Sequence, residues 1–152
     1  MYRKVDDFLL DWNISQEGTL NVFKAMTNDK LDQSIVEGHN SLHWLANHLV
    51  GSIGSFGGFA GFNLPKTEPS STVNELINSY EAQSEALKNE AAKLTDESLL
   101  EEIDGFTGKI PRGQLLRSFI DHQTHHRGQM TVLLRQANLT VPPVMGPTKE
   151  MQ

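Results

Sequence analysis

Apolar residues recur every three or four positions along four long segments of the chain, which is the pattern of an amphipathic α-helix. The segments cover roughly residues 3–27, 40–60, 72–94 and 111–138. Turn-forming residues separate them, and no stretch shows the period-two alternation of a half-buried strand. The sequence therefore predicts an all-α fold, an antiparallel four-helix bundle in one domain of residues 1–152.

Several helix boundaries follow from local signals. Asn40 or Ser41 is a candidate N-cap for the second segment, and Thr72 with Glu75 has the form of a capping box before the third. Pro111 suits the first turn of the fourth helix. Between the third and fourth segments, residues 95–110 are expected to form a connection with one short helical turn at 96–100. The final VPPVMGPTKEMQ holds three prolines and predicts an extended C-terminal tail.

The fourth segment carries an inward-facing seam that includes two histidines. The seam consists of Leu115, Phe119, His122, His126, Met130, Leu133 and Ala137. His122 and His126 lie one helical turn apart, so their imidazoles can converge on one ion. His125 is turned about 100° away from His126 around the helix axis. Buried imidazoles need polar partners, and metal ligation by His122 and His126 is one way to supply them.

A third ligand is expected from the second segment, because catalytic metal sites commonly use three protein ligands. All six histidines lie in two windows, residues 39–48 and 122–126. His48 is the best placed, since it lies mid-helix beside the apolar stripe. For His39, His43 and His125, a structural role at the edge of the core is the expectation.

Composition narrows the function further. The chain has 152 residues, no cysteine and a formal net charge of −6, with no basic run. The absence of cysteine excludes disulfides, thiolate metal sites and cysteine nucleophiles. No stretch approaches the ~20 apolar residues of a membrane helix, and the N-terminus lacks the apolar run of a signal peptide. We therefore expect a cytoplasmic protein that binds neither nucleic acid nor membrane.

Known catalytic motifs are absent or incomplete. HQTHH has the outer histidines of the zincin motif, but Gln123 stands where the catalytic glutamate is required. No histidine has a glutamate three residues before it, as a di-iron bundle would need. The stretch GSIGSFGGFAGFNLP contains no phosphate-binding fingerprint. Its small residues Gly51, Ser52 and Ser55 serve either close helix packing or a substrate space beside the metal.

Of the three residues that follow His126, Arg127 and Gln129 have two interpretations each and Gly128 has one. Arg127 binds an anionic substrate group or, more commonly, forms a salt bridge at the surface or between subunits. Gln129 orients a ligand or an imidazole ring, or is a polar residue of the bundle or dimer surface. Gly128 costs a helix about 1 kcal/mol relative to alanine, and close approach of another helix, for example across a dimer, would account for it.

The segments SLHWLANHLVGS and HQTHHRGQMTVLLRQANLTVPPV resemble the DinB-like (DinB/YfiT) superfamily of damage-inducible metalloproteins. The resemblance covers nearly the whole chain and is sharpest at His-x-x-x-His-Arg-Gly-Gln. It implies an up-down-down-up four-helix bundle with a long connection, often a homodimer. It also implies a divalent metal ion, nickel or zinc among others, on His48, His122 and His126, with His125 not a ligand.

The activity that the resemblance implies has several forms. Relatives include thiol-dependent transferases, a maleylpyruvate isomerase and proteins described as metal-dependent hydrolases. We therefore expect a metal-dependent enzyme, a hydrolase or a transferase with a low-molecular-weight thiol, acting on a small-molecule substrate at an open coordination position. Three neutral imidazoles would leave the ion's charge free to lower the pKa of a bound water or thiol. The alternative is a non-catalytic, stress-associated bundle that a metal ion stabilises.

Overall fold

The computed structural model describes residues 1–152 and contains four long α-helices. They are α1 (Val5–Lys24), α2 (Leu42–Phe59), α3 (Val73–Ala91) and α4 (Arg112–Gln136). Each lies within the segment that its apolar periodicity predicts, so the all-α four-helix fold is confirmed. Short 3-10 turns occupy Asn28–Lys30, Glu97–Leu100 and Lys149–Met151, the second of them at the expected place before α4.

The predicted caps are present where the helices begin. Ser41 Oγ accepts a hydrogen bond from the Trp44 backbone N–H at 3.2 Å, so Ser41 rather than Asn40 is the N-cap of α2. Thr72 and Glu75 form the reciprocal capping box of α3. Pro111 is the N-cap of α4, one residue before the position that the sequence favoured. These local bonds fix where α2 and α3 start and hence which residues face their neighbours.

One element was not expected from the sequence. The connection before α4 contains an antiparallel hairpin of β1 (Glu102–Gly105) and β2 (Gly108–Pro111). The expectation of no strand was wrong here because four-residue strands in which no side chain is fully buried leave little apolar alternation to detect. Phe106 and Thr107 form the two-residue tip of this hairpin between Gly105 and Gly108.

The helices pack in an up-down-down-up order. α1 contacts α3 and α4, and α2 contacts the same two helices, so α1 lies diagonally opposite α2. The Val5 backbone N–H bonds to Asp96 and the Val73 backbone N–H to Asn28, which makes α1 and α3 antiparallel. α2 and α4 also run antiparallel, whereas α1 with α4 and α2 with α3 run parallel. The connection of residues 25–41 crosses from α1 to the diagonally opposite α2, and the connection of residues 60–72 returns along the bundle so that α3 runs parallel to α2.

The apolar stripes meet in one continuous core. Its largest fully buried side chains come from all four helices, with Trp12 and Phe8 of α1, Tyr80 of α3 and Phe119 of α4 among them. Trp12 packs on Phe119 with ring centroids 4.9 Å apart. The C-terminal tail runs back over the bundle and buries Val141. No helix has both the length and the apolar character needed to cross a membrane.

Candidate metal centre

The antiparallel packing of α2 against α4 brings three histidines together. His48 lies in the middle of α2, and His122 and His126 lie one turn apart on α4. His48 Nε2 is 3.1 Å from His122 Nε2, and the His126 ring centroid lies 4.5 Å from each of the other two ring centroids. One ring nitrogen from each histidine lies within 4.8 Å of the other two. Thus the three candidate ligands of the sequence form one cluster.

The cluster lies at the edge of the core. Leu115, Phe119, Met130 and Leu133 of the α4 seam are buried, whereas His122 and His126 are only half-buried. Burial, followed by the charges of the neighbouring histidines, lowers the pKa of His122 to about 4. Burial also lowers the pKa of His48, with a smaller effect from His126. Both rings are therefore neutral at neutral pH, with lone pairs available for a cation.

The three histidines differ in the contacts that their rings make outside the cluster. The Trp44 ring stacks on His48 at a centroid distance of 4.7 Å and an interplanar angle of 14°. His126 Nδ1 lies 2.7 Å from Gln129 Oε1, and because an amide oxygen only accepts, this bond assigns the proton to Nδ1 and leaves the Nε2 lone pair free. His122 Nδ1 is buried without a hydrogen-bond partner. Gln129 therefore orients a ring, one of the two roles that the sequence left open.

Gln123 forms buried hydrogen bonds that hold α4, beside His122, against α2 and α3. Its side chain is fully buried, and its Nε2 donates to the Leu49 carbonyl at 3.1 Å and to Ser52 Oγ at 2.9 Å. Its Oε1 accepts from the Tyr80 hydroxyl at 2.9 Å. These bonds join α4 to α2 and α3 directly beside His122. The residue that excludes a zincin is thus a buried structural amide.

A pocket of about 280 Å³ opens beside the histidines. His48 and His122 form part of its wall, and the other lining residues are Gly51, Ser52, Ser55, Phe56 and Phe106. No side chain of the protein approaches the position that a Cβ at Gly51 would take. The small residues of α2 therefore leave open space beside the cluster, the second of the two interpretations from the sequence.

Sequence reasoning missed the aromatic part of this pocket. Phe56 belongs to the predicted apolar stripe of α2, but its ring also lies 5.3 Å from the His122 ring. Phe106 was not singled out because the hairpin that carries it was not predicted. The available signal was the pair Gly105 and Gly108 around two residues, a spacing that suits a tight hairpin.

The remaining histidines lie outside the cluster. His43 Nε2 bonds to the Ser70 carbonyl at 2.7 Å and has the structural role that was expected. His39 is exposed and lines a separate, mainly apolar pocket with Ile35 and Leu45. His125 is exposed, and its ring lies edge-on to His126 at 4.8 Å.

Arg127 differs from both interpretations of the sequence. It is only 4% exposed and forms no salt bridge, so it neither faces the pocket nor pairs at the surface. Its guanidinium donates to the Ser15 carbonyl at 2.9 Å and to the Ser15 and Thr19 hydroxyls at 3.0 and 3.2 Å. Gly18 of α1 leaves room for it. Arg127 therefore ties α4 to α1.

The donor set of the cluster fits a divalent ion. Neutral imidazole nitrogens suit zinc, nickel and other first-row ions. A tetrahedral zinc at about 2.0–2.1 Å from each nitrogen keeps its ligand atoms roughly 3.3 Å apart. The 3.1 Å between His48 Nε2 and His122 Nε2 is close to that spacing. A small movement of the His126 ring would bring its nitrogen to the same spacing from the other two nitrogens.

The fold and the cluster together define a four-helix-bundle protein with three histidines compatible with metal binding. The chain belongs to the DinB family, whose family model matches residues 1–152. This family assignment agrees with the resemblance seen in the histidine segments of α2 and α4. The match of the family model extends that resemblance to the whole chain.

Relatives and solved structures agree with the family. The uncharacterized protein YrdA of Bacillus subtilis (strain 168) is 37% identical over 155 residues, which cover 99% of this chain and 93% of YrdA. A DinB-like protein from Bacillus cereus (ATCC 10987) has a TM-score of 0.85 and 34% identity, over 95% of this chain and 99% of that one. The DinB-like protein YjoA from Bacillus subtilis, at 22% identity and a TM-score of 0.75, covers 90% of this chain and 96% of its own and shares the fold.

Proposed function

We propose that this protein is a metal-dependent enzyme that holds nickel or zinc through His48, His122 and His126. The observation that carries the proposal is the convergence of one nitrogen from each of these rings to within 4.8 Å. Gln129 supports it, since the hydrogen bond to His126 Nδ1 fixes the tautomer and ring orientation that ligation through Nε2 needs. Such outer partners typically change metal affinity about 10–100-fold when they are lost.

The reaction class that we propose is hydrolysis or thiol-dependent transfer on a small molecule. A divalent ion held by neutral ligands acts as a Lewis acid and lowers the pKa of a water or thiol bound to it. The chain contributes the pocket beside His48 and His122, where a substrate can approach from the open side. Trp44 and Phe56 pack against the His48 and His122 rings and hold their orientation beside this pocket.

The alternative is a bundle in which the ion only cross-links α2 to α4. The two proposals differ in whether the ion keeps an exchangeable position. We expect added azide to change the visible absorption of the Co²⁺-loaded protein, and this change to saturate as the azide concentration rises, because a ligand can enter from the pocket. A spectrum that does not respond to azide would indicate a closed site and favour the structural role.

Activity assays then test the enzyme directly. Hydrolysis of ester and amide substrates, and conjugation with added low-molecular-weight thiols, would be measured for the metal-loaded protein. Turnover is expected to disappear in His126→Ala and to persist in His125→Ala, which changes a neighbouring ring outside the cluster. Equal turnover in wild type and His126→Ala would assign the activity to something other than this site.

We also propose that the protein is a homodimer through the exposed side of α4. Gly128 is exposed in mid-helix, and apart from its chain neighbours and the nearby backbone of α4 no atom lies within 4 Å of the position of a Cβ there. Val132, one turn further on, is 46% exposed. A close helix–helix contact with a second copy would use both the missing side chain and the apolar one.

A further inference from the structure

The tip of the β1–β2 hairpin places an aromatic ring beside the histidine cluster. Phe106 is 57% exposed, which is unfavourable for a phenylalanine at the tip of a hairpin. Its ring contacts Phe59 and Phe56 at centroid distances of 4.5 and 4.8 Å. Phe56 in turn contacts His122 at 5.3 Å. A row of rings therefore leads from the hairpin tip to a candidate metal ligand.

The pocket wall away from the histidines offers no charged partner to a ligand. Apart from the two histidines, its lining has two phenylalanines, two serines and a glycine, with no lysine, arginine, aspartate or glutamate. Ser52 and Ser55 donate their hydroxyl protons to the carbonyls of Leu49 and Gly51 at 2.9 and 3.2 Å. Ser52 Oγ also accepts from Gln123 Nε2, so the exposed Ser55 is the serine whose oxygen faces a ligand, as an acceptor only.

The size of the pocket limits the ligand further. Its volume of about 280 Å³ lies just below the range of typical small-molecule sites, which is about 300–1,000 Å³. Such a space accepts one ring and a short polar group. Aromatic side chains at one end and imidazoles at the other match a molecule with the same two parts.

We propose that this pocket binds small molecules with an uncharged aromatic group against Phe106 and Phe56 and a metal-coordinating group toward His48 and His122. The inference rests on the proposed function, since the coordinating group needs the ion. It assigns substrate selectivity to the hairpin: Phe106 is a specificity residue, and its exposed face is the surface that the ligand covers.

A purely structural role for Phe106 would be to hold the hairpin on α2. Phe59 separates the two roles, because its ring contacts Phe106 at 4.5 Å but it does not line the pocket. Phe59→Ala therefore loosens the hairpin contact and keeps the pocket wall. Phe106→Ala removes the wall itself.

The test compares benzohydroxamate with acetohydroxamate, which share a metal-binding group and differ by the aromatic ring. Dissociation constants would be measured from the absorption of the Co²⁺-loaded full-length protein. We expect Phe106→Ala to reduce the preference for benzohydroxamate about tenfold, from loss of ring contact and burial. Phe59→Ala is expected to stay within about twofold of wild type. The intrinsic difference between the two hydroxamates cancels in this comparison.

A preference that is unchanged in Phe106→Ala, or lowered equally by Phe59→Ala, would overturn the inference while leaving the metal site intact. Failure of the wild type to take up Co²⁺ would overturn the proposed function and this inference with it.

A second measurement avoids variants altogether. In the Zn²⁺-loaded wild type, nuclear Overhauser effects are expected between the phenyl protons of bound benzohydroxamate and the rings of Phe106 and Phe56. Their absence in a saturated complex would contradict the assignment.

Discussion

His122 shows how one residue serves the site at a cost to the fold. Its ring is half-buried, its Nδ1 has no hydrogen-bond partner, and its pKa is lowered to about 4. An unfolded histidine titrates near 6.5. Below about 6.5 the unfolded chain therefore gains a proton that the folded chain does not, so stability falls as the pH drops from about 6.5 toward 4. His48, whose pKa is also lowered, adds to the same trend.

The first prediction concerns this pH dependence in metal-free protein. The free energy of unfolding by urea is expected to decrease between pH 7 and pH 5, and His122→Asn should reduce that decrease. Asparagine keeps a polar side chain without a titrating group, so it is the matched replacement. A decrease that is as large in His122→Asn as in wild type would show that other groups cause it.

Arg127 gives the second residue-scale prediction. Its buried guanidinium has no carboxylate partner, and burial lowers its pKa, yet it makes hydrogen bonds to Ser15 and Thr19 of α1. Arg127→Ala would remove these hydrogen bonds, leaving Thr19 bonded only to the Ser15 carbonyl, and would open a gap between α1 and α4. We expect a loss of about 2–4 kcal/mol in the free energy of unfolding, measured with urea.

The matched control for Arg127 is Arg135, on the same helix. Arg135 is paired with Glu150 at 2.8 Å in an exposed position, so Arg135→Ala should cost about 0–1 kcal/mol. Equal losses in the two variants would contradict the anchoring role of Arg127. Metal content should be the same in both, because neither residue belongs to the cluster.

At the scale of elements, the start of α4 depends on one glycine. A Cβ at Gly113 would lie 2.1 Å from the Tyr2 carbonyl oxygen, and the Tyr2 N–H donates to the Gly113 carbonyl at 3.0 Å. The N-terminal segment and α4 thus approach closely only because residue 113 has no side chain. Since α4 carries His122 and His126, this contact also helps to position two of the three clustered histidines.

The third prediction is a contrast between two glycines. Gly113→Ala is expected to lower the free energy of unfolding by about 1–3 kcal/mol, because backbone must move to relieve the overlap. Gly54→Ala in α2, where no atom lies within 4 Å, should raise it by about 0.5–1 kcal/mol through helix propensity. Chemical denaturation measures both. A stabilised Gly113→Ala would mean that the contact with Tyr2 is not formed.

Elements differ in how well the sequence predicts them. The four helices and the capping box at Thr72 were predicted, because long periodic stripes and caps are local signals. The clustering of the three histidines was also predicted, since i, i+4 spacing fixes His122 beside His126, and the mid-helix position of His48 leaves it near them. The hairpin and the burial of Arg127 were not. Both depend on tertiary contacts, with Phe56 and Phe59 in one case and with Gly18 in the other.

At the scale of the whole molecule, helix order lies beyond the reach of periodicity. Amphipathic stripes predict four helices that share a core but do not say which pairs are parallel. The up-down-down-up order came from the family resemblance. The contact of α1 with α3, and the Tyr2–Gly113 hydrogen bond that brings the starts of α1 and α4 together, confirm it. This order leaves the α2–α4 groove open to solvent along the histidines. The cluster is therefore a consequence of the topology as well as of the positions of its three histidines in the sequence.

The fourth prediction is that the protein forms a dimer through α4. Wild type is expected to sediment with the mass of two chains, and Gly128→Arg with the mass of one, because a long side chain would separate the helices. Gly58→Arg is the control: Gly58 is exposed on α2, with no atom within 4 Å of its Cβ position. A monomeric wild type, or a dimeric Gly128→Arg, would contradict this interface.

The central claim is that three histidines hold one divalent ion, and elemental analysis of protein purified without a histidine tag tests it most directly. About one metal ion per chain is expected in wild type and in His125→Ala, whose ring neighbours His126 without belonging to the cluster. His48→Ala, His122→Ala and His126→Ala are each expected to lose it. Wild-type protein that takes up no ion, or variants that retain it, would contradict the account and leave the three histidines as residues of the core edge.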